Sequence, residues 1–255
     1  MGGLFDLAGK SVLVTGGNNG IGLGIAEAIA SAGGSVAIWG RNASRNSAAL
    51  EKLRAISACR IVAFPIDVAN EHEVADGFAA TVDELGRVDV VFANAGVGGA
   101  STPLVNLEAT DWRSVLAVNL DGTFWTFREA LRYMQPQQQG SLIAISSVYG
   151  DRGFPLGAPY AATKAAVRAV IRSIAVEYGP YGIRANAIAP GWVSTGMTSS
   201  FIDGDHFSKH LKPRVPLGRW GRPSDLAGIA IYLASDASIW HTGDTITVDG
   251  GFLCS

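Results

Sequence analysis

Short apolar runs alternate along the chain with longer segments in which apolar residues recur at helical spacing. The short runs predict strands near 11–15, 35–39, 60–66, 88–93, 141–146, 183–189 and 244–248. The longer segments predict helices near 21–32, 43–57, 70–85, 108–134, 158–179 and 223–234. This order is typical of right-handed βαβ units on a parallel sheet. We therefore expect an α/β fold with a doubly wound parallel sheet of Rossmann type in three αβα layers.

The alternation continues without a linker or a low-complexity break, which favours a single domain over residues 1–255. The length alone would also allow two domains, but a hydrophobic content of 48% can supply one full core. Residues 194–222 are predicted to contain no strand, and residues 135–139 to form a short polar turn. Because ligands bind beyond the carboxyl ends of the strands in such sheets, we expect 194–222 to be a substrate lid.

A glycine-rich segment, Gly16-Gly-Asn-Asn-Gly20-Ile-Gly22, lies between the first predicted strand and the first predicted helix. Gly16 permits a tight turn, Gly20 lets the backbone approach a pyrophosphate, and Gly22 allows close packing of the helix. A strand, a glycine loop and a helix in this order predict a dinucleotide site, with the anion at the helix N-terminus.

Tyr160 and Lys164 are four residues apart in a predicted helix, so their side chains share one face. Ser147 ends the apolar run just upstream. A nearby cation favours a phenolate and lowers its pKa, so we expect Lys164 to make Tyr160 an effective proton donor and acceptor. A tyrosine and a lysine also occur at this spacing by chance on ordinary helix surfaces. The pair indicates a catalytic site only in combination with the glycine loop.

Four motifs together resemble those of the short-chain dehydrogenase/reductase family: Thr15-Gly-x-x-x-Gly20-x-Gly22, Asn94-Ala-Gly96, Ser147 and Tyr160-x-x-x-Lys164. The resemblance extends from about Leu7 to Gly251 and includes Pro190-Gly191-Trp-Val193-Ser-Thr195 and the spacing between the serine and the tyrosine. It implies an oxidoreductase that interconverts a ketone or other carbonyl and a secondary alcohol by hydride transfer.

The resemblance also implies a task for each catalytic residue. Ser147 would donate a hydrogen bond to the substrate carbonyl, and Tyr160 would supply the proton. Lys164 would tune the phenol and hold the nicotinamide ribose. The backbone of Asn119 would anchor a water molecule linked to Lys164.

Most of the expected cofactor contacts follow from the same resemblance. Asp67 and Val68 would contact the adenine ring, and the segment Asn94-Ala-Gly96 would brace the glycine loop. The segment from Pro190 to Thr195 would hold the nicotinamide carboxamide. The expected set, with the specificity residues discussed next, is Gly16, Asn18, Asn19, Gly20, Ile21, Gly22, Arg41, Asn42, Asp67, Val68, Asn94, Ala95, Gly96, Tyr160, Lys164, Pro190, Gly191, Val193 and Thr195.

Arg41 and Asn42 follow the second predicted strand, and Gly40 stands where NAD enzymes of this fold commonly have an acidic residue. An arginine there is similar to the family's NADP-type sequence, because a guanidinium can pair with a 2′-phosphate. Asn19, however, stands where many NADP-type members have a second basic residue. We expect NADP(H) to be preferred, NAD(H) remains possible, and Arg41 could instead be a solvated cation at a helix start.

The expected substrate pocket comprises Ser147, Arg152, Trp192 and Met197, which could receive a carboxylate or an aromatic ketone. One alternative is an NAD-dependent polyol or sugar-acid dehydrogenase, because the opening segment from Leu4 to Lys10 is similar to such members. A second alternative is a dinucleotide-binding sensor without turnover. The complete set of Ser147, Tyr160 and Lys164 favours an enzyme, because a sensor needs no proton relay.

Net charge, hydropathy and cysteine content limit the kinds of partner and compartment that we expect for this protein. A net charge of −2 and a pI near 6.1 argue against nucleic-acid binding. No apolar run approaches the roughly 18 residues that span a bilayer, and no signal-peptide pattern is present, so we expect no membrane partner. Cys59 and Cys254 suggest neither a disulfide framework nor a metal site, which favours the reducing cytoplasm.

Two further expectations concern metals and assembly. His206 and His210 lie beside acidic residues but have neither a third ligand nor a metalloprotease glutamate, so we expect no metal. The family commonly pairs its long helices, here 108–134 and 158–179, across a two-fold axis, so we expect a homotetramer. The predicted helix 108–134 also has more large apolar residues than one sheet-facing stripe needs, so we expect part of this group to contact a partner: Val115, Phe124, Trp125, Phe127 and Leu131.

Overall fold

The computed structural model describes residues 3–199 and 212–255. Within those ranges, seven parallel strands form one sheet in the order β3-β2-β1-β4-β5-β6-β7. The strands are β1 (Ser11–Thr15), β2 (Ser35–Trp39), β3 (Ile61–Phe64), β4 (Val90–Ala93), β5 (Gly140–Ile145), β6 (Ile183–Pro190) and β7 (Thr245–Val248). The predicted doubly wound α/β fold is confirmed.

Helices connect the strands on both sides of the sheet. They are α1 (Gly20–Ser31), α2 (Ala43–Ile56), α3 (Glu71–Leu85), α4 (Ala109–Leu116), α5 (Gly122–Gln137), α6 (Ala158–Tyr178) and α7 (Ala227–Ala234). None of the helices in the described ranges is long and apolar enough to cross a membrane.

Two apolar cores lie on opposite faces of the sheet because successive strand residues point in opposite directions. Val12 and Val14 of β1 pack with Ile25 of α1, in a core that also includes residues of α2 and α7. Leu13 packs on the other face, in the core that contains Phe127 of α5 and residues of α3 and α6. The sheet is therefore covered on both faces, as the apolar strands predict.

The connections reverse direction between β1 and β4, which are neighbours in the sheet. At such a reversal the loops that follow adjacent strands diverge and leave a crevice at the carboxyl ends. The glycine loop after β1, the Asn94 segment after β4 and the serine segment after β5 all meet at this edge.

Two sequence predictions about local structure need correction. The polar turn expected at 135–139 is wrong, because α5 continues through Pro136 to Gln137 and ends at Gln138, which has a φ of 54°. A proline in the last turn removes only one helical hydrogen bond, so the helix tolerates it. The single helix expected at 108–134 is interrupted by π-helical residues Ala117–Asp121.

The apolar residues that suggested a subunit contact divide into buried and exposed members. Val115, Phe127 and Leu131 are buried in the chain's own core. Phe124, by contrast, has 44% of its surface exposed. Arg128 lies over the ring of its neighbour Trp125, at 4.7 Å from the centroid. Only the Phe124 and Trp125 part of the group is left to contact a partner.

Candidate active site

The glycine loop after β1 is held by close backbone contacts. Gly16 has a φ of +64°, and a Cβ atom there would lie 2.9 Å from Nδ2 of Asn94. The same Asn94 nitrogen donates hydrogen bonds to the carbonyl oxygens of Thr15 at 2.9 Å and Gly16 at 3.2 Å. A Cβ atom on Gly22 would collide with the Gly16 carbonyl and with Asn94. The loop therefore requires glycine at both positions, and Asn94 braces it.

The N-terminus of α1 opens onto the crevice. Asn19 has an extended backbone and caps the helix, since its side chain accepts a hydrogen bond from the Gly20 N–H at 2.8 Å. Gly20 has a φ of +52°, and a Cβ atom there would come within 3.2 Å of Thr195. The exposed amides and the positive end of the helix dipole suit a pyrophosphate, so the residues present fit a bound dinucleotide.

A cleft of about 370 Å³ runs along the carboxyl edge of the sheet from the glycine loop to the serine segment. Most of the residues expected from the sequence line it: Gly16, Asn18, Asn19, Gly20, Ile21, Arg41, Asn42, Asp67, Val68, Asn94, Ala95, Gly96, Ser147, Tyr160, Lys164, Pro190, Gly191, Val193, Thr195 and Met197. The structure thus brings together residues that lie more than 150 positions apart. Gly22 and Asn119 lie just behind this lining.

Two cations occupy the end of the cleft beyond β2. Arg41 is largely exposed and its Nη1 lies 3.6 Å from Oδ2 of Asp67. Arg45, in the first turn of α2, also lines the cleft and was missed by the sequence reasoning. Its place at the start of the helix that directly follows Arg41 and Asn42 is a signal that could have identified it. The two guanidinium groups make this end of the cleft suited to an anion.

The backbone at this end is fixed by amide side chains. Asn42 caps α2 by accepting a hydrogen bond from the Arg45 N–H at 2.8 Å. Asn46 donates to the Gly40 carbonyl at 2.8 Å and accepts from Nδ2 of Asn18 at 2.6 Å. A side chain at Gly40 would collide with Asn18. A side chain at Gly40, such as the acidic one found in NAD enzymes, would therefore displace the Asn18 amide from its hydrogen bond with Asn46.

Ser147, Tyr160 and Lys164 form a compact group at the other end of the cleft. Ser147 follows β5 and is 6% exposed, and its hydroxyl accepts a hydrogen bond from the Tyr149 N–H at 3.2 Å. Lys164 is 5% exposed, and its Nζ donates to the Ile145 carbonyl at 2.7 Å. The same Nζ lies 5.6 Å from the centroid of the Tyr160 ring. The predicted shared face of the tyrosine and the lysine is confirmed.

Burial dominates the electrostatics of this group. It raises the pKa of Tyr160 above its ordinary value, and a hydrogen bond with Ser147 offsets only part of that rise. Burial also lowers the pKa of Lys164 to about 8. The raised pKa of Tyr160 departs from the expectation that Lys164 depresses it, because burial is the largest cause of the shift. Tyr160 is a protonated phenol at neutral pH.

Asn119 lies in the π-helical stretch and ties three segments together. Its Oδ1 accepts a hydrogen bond from the Val97 N–H at 2.8 Å, and its Nδ2 donates to the Val97 carbonyl at 3.0 Å. Nδ2 also donates to Oγ1 of Thr163 at 3.2 Å. The threonine hydroxyl in turn donates to the Tyr160 carbonyl at 2.7 Å. The side chain of Asn119 therefore positions the segment after β4 against the catalytic helix.

The four residues expected in the substrate pocket separate into two groups. Ser147 and Met197 line the cleft. Arg152 instead donates to the Phe252 carbonyl at 3.1 Å and lies over the Phe252 ring at 5.1 Å from its centroid. Trp192 packs edge-on against Tyr149, with their ring centroids 5.8 Å apart. The structure places Arg152 and Trp192 in an aromatic cluster next to the cleft, outside its lining.

Phe154 belongs to the same cluster and was missed by the sequence reasoning. It stacks on Tyr149 with ring centroids 4.1 Å apart and meets Tyr160 edge-on at 5.9 Å. Its position between Ser147 and Tyr160 in the sequence is a signal that could have identified it. Part of the expected lid lies outside the described residues, as do His206 and His210, which were considered as metal ligands.

Comparisons with known proteins agree with this geometry. The model of the family described as enoyl-(acyl carrier protein) reductase matches residues 16–253. A gluconate 5-dehydrogenase from Gluconobacter oxydans is 34% identical over 99% of this chain and 98% of its own. A 3-oxoacyl-(acyl-carrier-protein) reductase from Chlamydia pneumoniae is 36% identical over 96% of this chain and 97% of its own.

Solved structures give the same result. The crystal structure of a gluconate 5-dehydrogenase from Burkholderia cenocepacia, in complex with NADP and tartrate, superposes with a TM-score of 0.93 at 36% identity. The alignment covers 99% of this chain and 98% of that one. The chain therefore belongs to the short-chain dehydrogenase/reductase family, whose members are oxidoreductases that act on CH–OH groups.

Proposed function

We propose that this enzyme interconverts a ketone and a secondary alcohol with NADP(H), using Ser147, Tyr160 and Lys164 as its proton relay. The observation that carries the proposal is the grouping of Tyr160 with the buried Ser147 and Lys164 in the same cleft as the glycine loop. A binding protein without turnover would need the glycine loop but would gain nothing from burying a lysine beside a phenol, which costs free energy.

The chain's own residues divide the chemistry of ketone reduction. The Ser147 hydroxyl donates a hydrogen bond to the substrate oxygen and orients the carbonyl. The Tyr160 phenol is protonated at neutral pH because burial raises its pKa, and it donates that proton to the substrate oxygen as negative charge develops there. When bound, the reduced nicotinamide supplies the hydride that the carbonyl carbon accepts. Lys164 holds the nicotinamide ribose, and in alcohol oxidation Tyr160 takes the proton back.

The cations beyond β2 support NADP(H) as the preferred cofactor. Arg41 and Arg45 can bind a 2′-phosphate, and Gly40 carries no carboxylate that would repel it. Asp67 contacts Arg41 and would have to give up part of that contact to a phosphate. The related enzyme solved with NADP is consistent with this choice.

We also propose one catalytic domain over residues 1–255, with a substrate lid at 194–222, assembled into a homotetramer in the cytoplasm. Exposed apolar side chains support the assembly: Phe124 on α5, Val176 on α6, which is 82% exposed, and Trp240, which is 99% exposed. The free cysteines Cys59 and Cys254 are compatible with a reducing compartment.

A substrate screen tests the proposed reaction. Purified protein is supplied with NADPH or NADH and a panel of keto sugar acids, 3-oxoacyl thioesters and aromatic ketones, and loss of the reduced-nicotinamide absorbance is followed. Turnover with NADPH, reduced by replacement of Tyr160 with Phe, is the expected result. Binding of NADPH without turnover on any member of the panel, or on the corresponding alcohols with NADP, would favour the sensor function.

A further inference from the structure

Arg168 is a buried cation on α6, one helical turn after Lys164 and two after Tyr160, and is 7% exposed. All three nitrogen atoms of its guanidinium make polar contacts. Nε donates to the Ser146 hydroxyl at 2.7 Å, Nη2 donates to the carbonyl of Ser147, and Nη1 pairs with the carboxylate of Asp151. The guanidinium pairs with Asp151, from the turn after β5, and the charged residues Arg172 and Asp244 line the same pocket as Arg168 and Asp151.

Two of these contacts converge on the catalytic segment. The Ser147 carbonyl accepts from Arg168 and also from the Gly150 N–H at 2.9 Å, so two donors hold it. The Ser146 hydroxyl accepts from Arg168 and donates to the Lys164 carbonyl at 2.7 Å. Arg168 therefore links the backbone of the catalytic serine to the helix turn that carries the lysine.

Gly150 shows how closely this segment is folded over the guanidinium. A Cβ atom on Gly150 would lie 3.0 Å from Cζ of Arg168 and 2.9 Å from the Lys164 carbonyl oxygen. Those distances are tighter than ordinary side-chain contacts, so a residue without a side chain is required. The turn after β5 therefore packs directly against the Arg168 side chain.

Packing alone does not account for an arginine at this position. The helix α6 already packs against the sheet through Val167 and Ile171, which are buried in the core. Removing a guanidinium from water is costly, and an apolar side chain of similar volume would often fill such a site with no loss of stability. The Asp151 carboxylate that balances the charge is itself 47% exposed, so it could remain hydrated without Arg168.

We propose that Arg168 is a positioning residue for the carbonyl chemistry: it holds the Ser147 backbone and the Ser146 link to Lys164 so that the serine hydroxyl stays aligned with Tyr160. The inference rests on the proposed function of Ser147 and Tyr160. Loss of the guanidinium leaves the fold and the cofactor cleft in place but lets the segment from Ser146 to Asp151 open more often. This opening lowers kcat and leaves the Kd for the cofactor nearly unchanged.

Two readouts in the full-length protein test this role. The first is amide hydrogen exchange at Gly150, whose N–H is bonded to the Ser147 carbonyl. The second is kcat per bound NADPH, with sites counted by titration of cofactor fluorescence, so that a loss of folded protein does not register as a loss of rate. Arg168→Met is compared with Arg172→Met, an exposed arginine one turn further along α6.

We expect exchange at Gly150 about tenfold faster in Arg168→Met, as for the loss of one charge-assisted hydrogen bond. We expect kcat per site to fall at least about tenfold, as for misalignment of a catalytic group, while the Kd for NADPH stays within about twofold. Arg168→Lys restores part of the rate. Arg172→Met leaves both quantities at the wild-type value.

The proposal is overturned if hydrogen exchange at Gly150, or kcat per site, is the same in Arg168→Met as in Arg172→Met. If Arg168→Met does not fold, hydrogen exchange at Gly150 and kcat per site are measured in Arg168→Lys and Ser146→Ala instead. Wild-type values of these two quantities in both variants overturn the proposal. A wild-type protein without turnover contradicts the proposed function instead, and exchange at Gly150 still reports whether Arg168 holds the serine segment.

Discussion

Replacing Lys164 with Met should change how the stability of the fold depends on pH. Burial lowers the pKa of Lys164 from 10.5 to about 8. Below pH 8 the lysine is charged in the folded and the unfolded protein, and the folded state bears the whole cost of burying the charge. A shift of this size corresponds to about 3 kcal/mol.

As the pH rises from about 8 to 10.5, folded Lys164 loses its proton before the unfolded lysine does. The unfolded state then binds more protons, so the free energy of unfolding increases with pH over this window. Between pH 7 and pH 10 the wild type should gain about 2.5 kcal/mol relative to Lys164→Met, because methionine has no proton to lose.

Urea unfolding at pH 7, 8, 9 and 10 measures this difference, at one protein concentration so that any assembly contributes equally. Lys52→Met is the matched control, since Lys52 is exposed on α2 and its removal should give a constant difference. Wild-type and Lys164→Met stabilities that stay parallel across this range would refute the claim that burial depresses the pKa of the lysine.

Three further outcomes are expected. Arg41→Ala should reduce the preference for NADP over NAD about ten- to hundredfold, and Arg45→Ala should act in the same direction; kcat/KM measured for both cofactors checks this. Alcohol oxidation should accelerate as the pH rises toward and beyond 10, because it needs the deprotonated phenol of Tyr160, whose pKa is raised, and a pH–rate profile from 7 to 10.5 would show it. Light scattering should give the mass of a tetramer at micromolar concentration, and Phe124→Asp should lower it; a wild type that is monomeric there contradicts the proposed assembly.

The sequence predicts the sheet well because its strands are short apolar runs with turn residues between them. The glycine loop and the Tyr160–Lys164 pair could also be placed, since a loop bounded by a strand and a helix and a four-residue helical spacing are local features. These features locate the cleft without knowledge of any long-range contact.

What escaped prediction depends on contacts between distant segments. Arg168 could be placed on the face of α6 that carries Lys164, but its role requires the turn around Gly150 to fold back onto the helix. Arg152 was expected at the substrate, and the C-terminal segment at Phe252 draws it into an aromatic cluster. The direction of the Tyr160 pKa failed for a related reason, because spacing reveals a nearby cation and does not reveal how completely the fold excludes water.

The central claim is that Tyr160 carries the proton, and Tyr160→Phe tests it most directly because the change keeps the ring and removes one hydroxyl. The ring contact with Phe154 and the cofactor cleft should survive. We expect a kcat at least about 10²-fold below the wild type, with the Kd for NADPH unchanged within about twofold. A Tyr160→Phe protein that binds NADPH normally and turns over at the wild-type rate would contradict the claim.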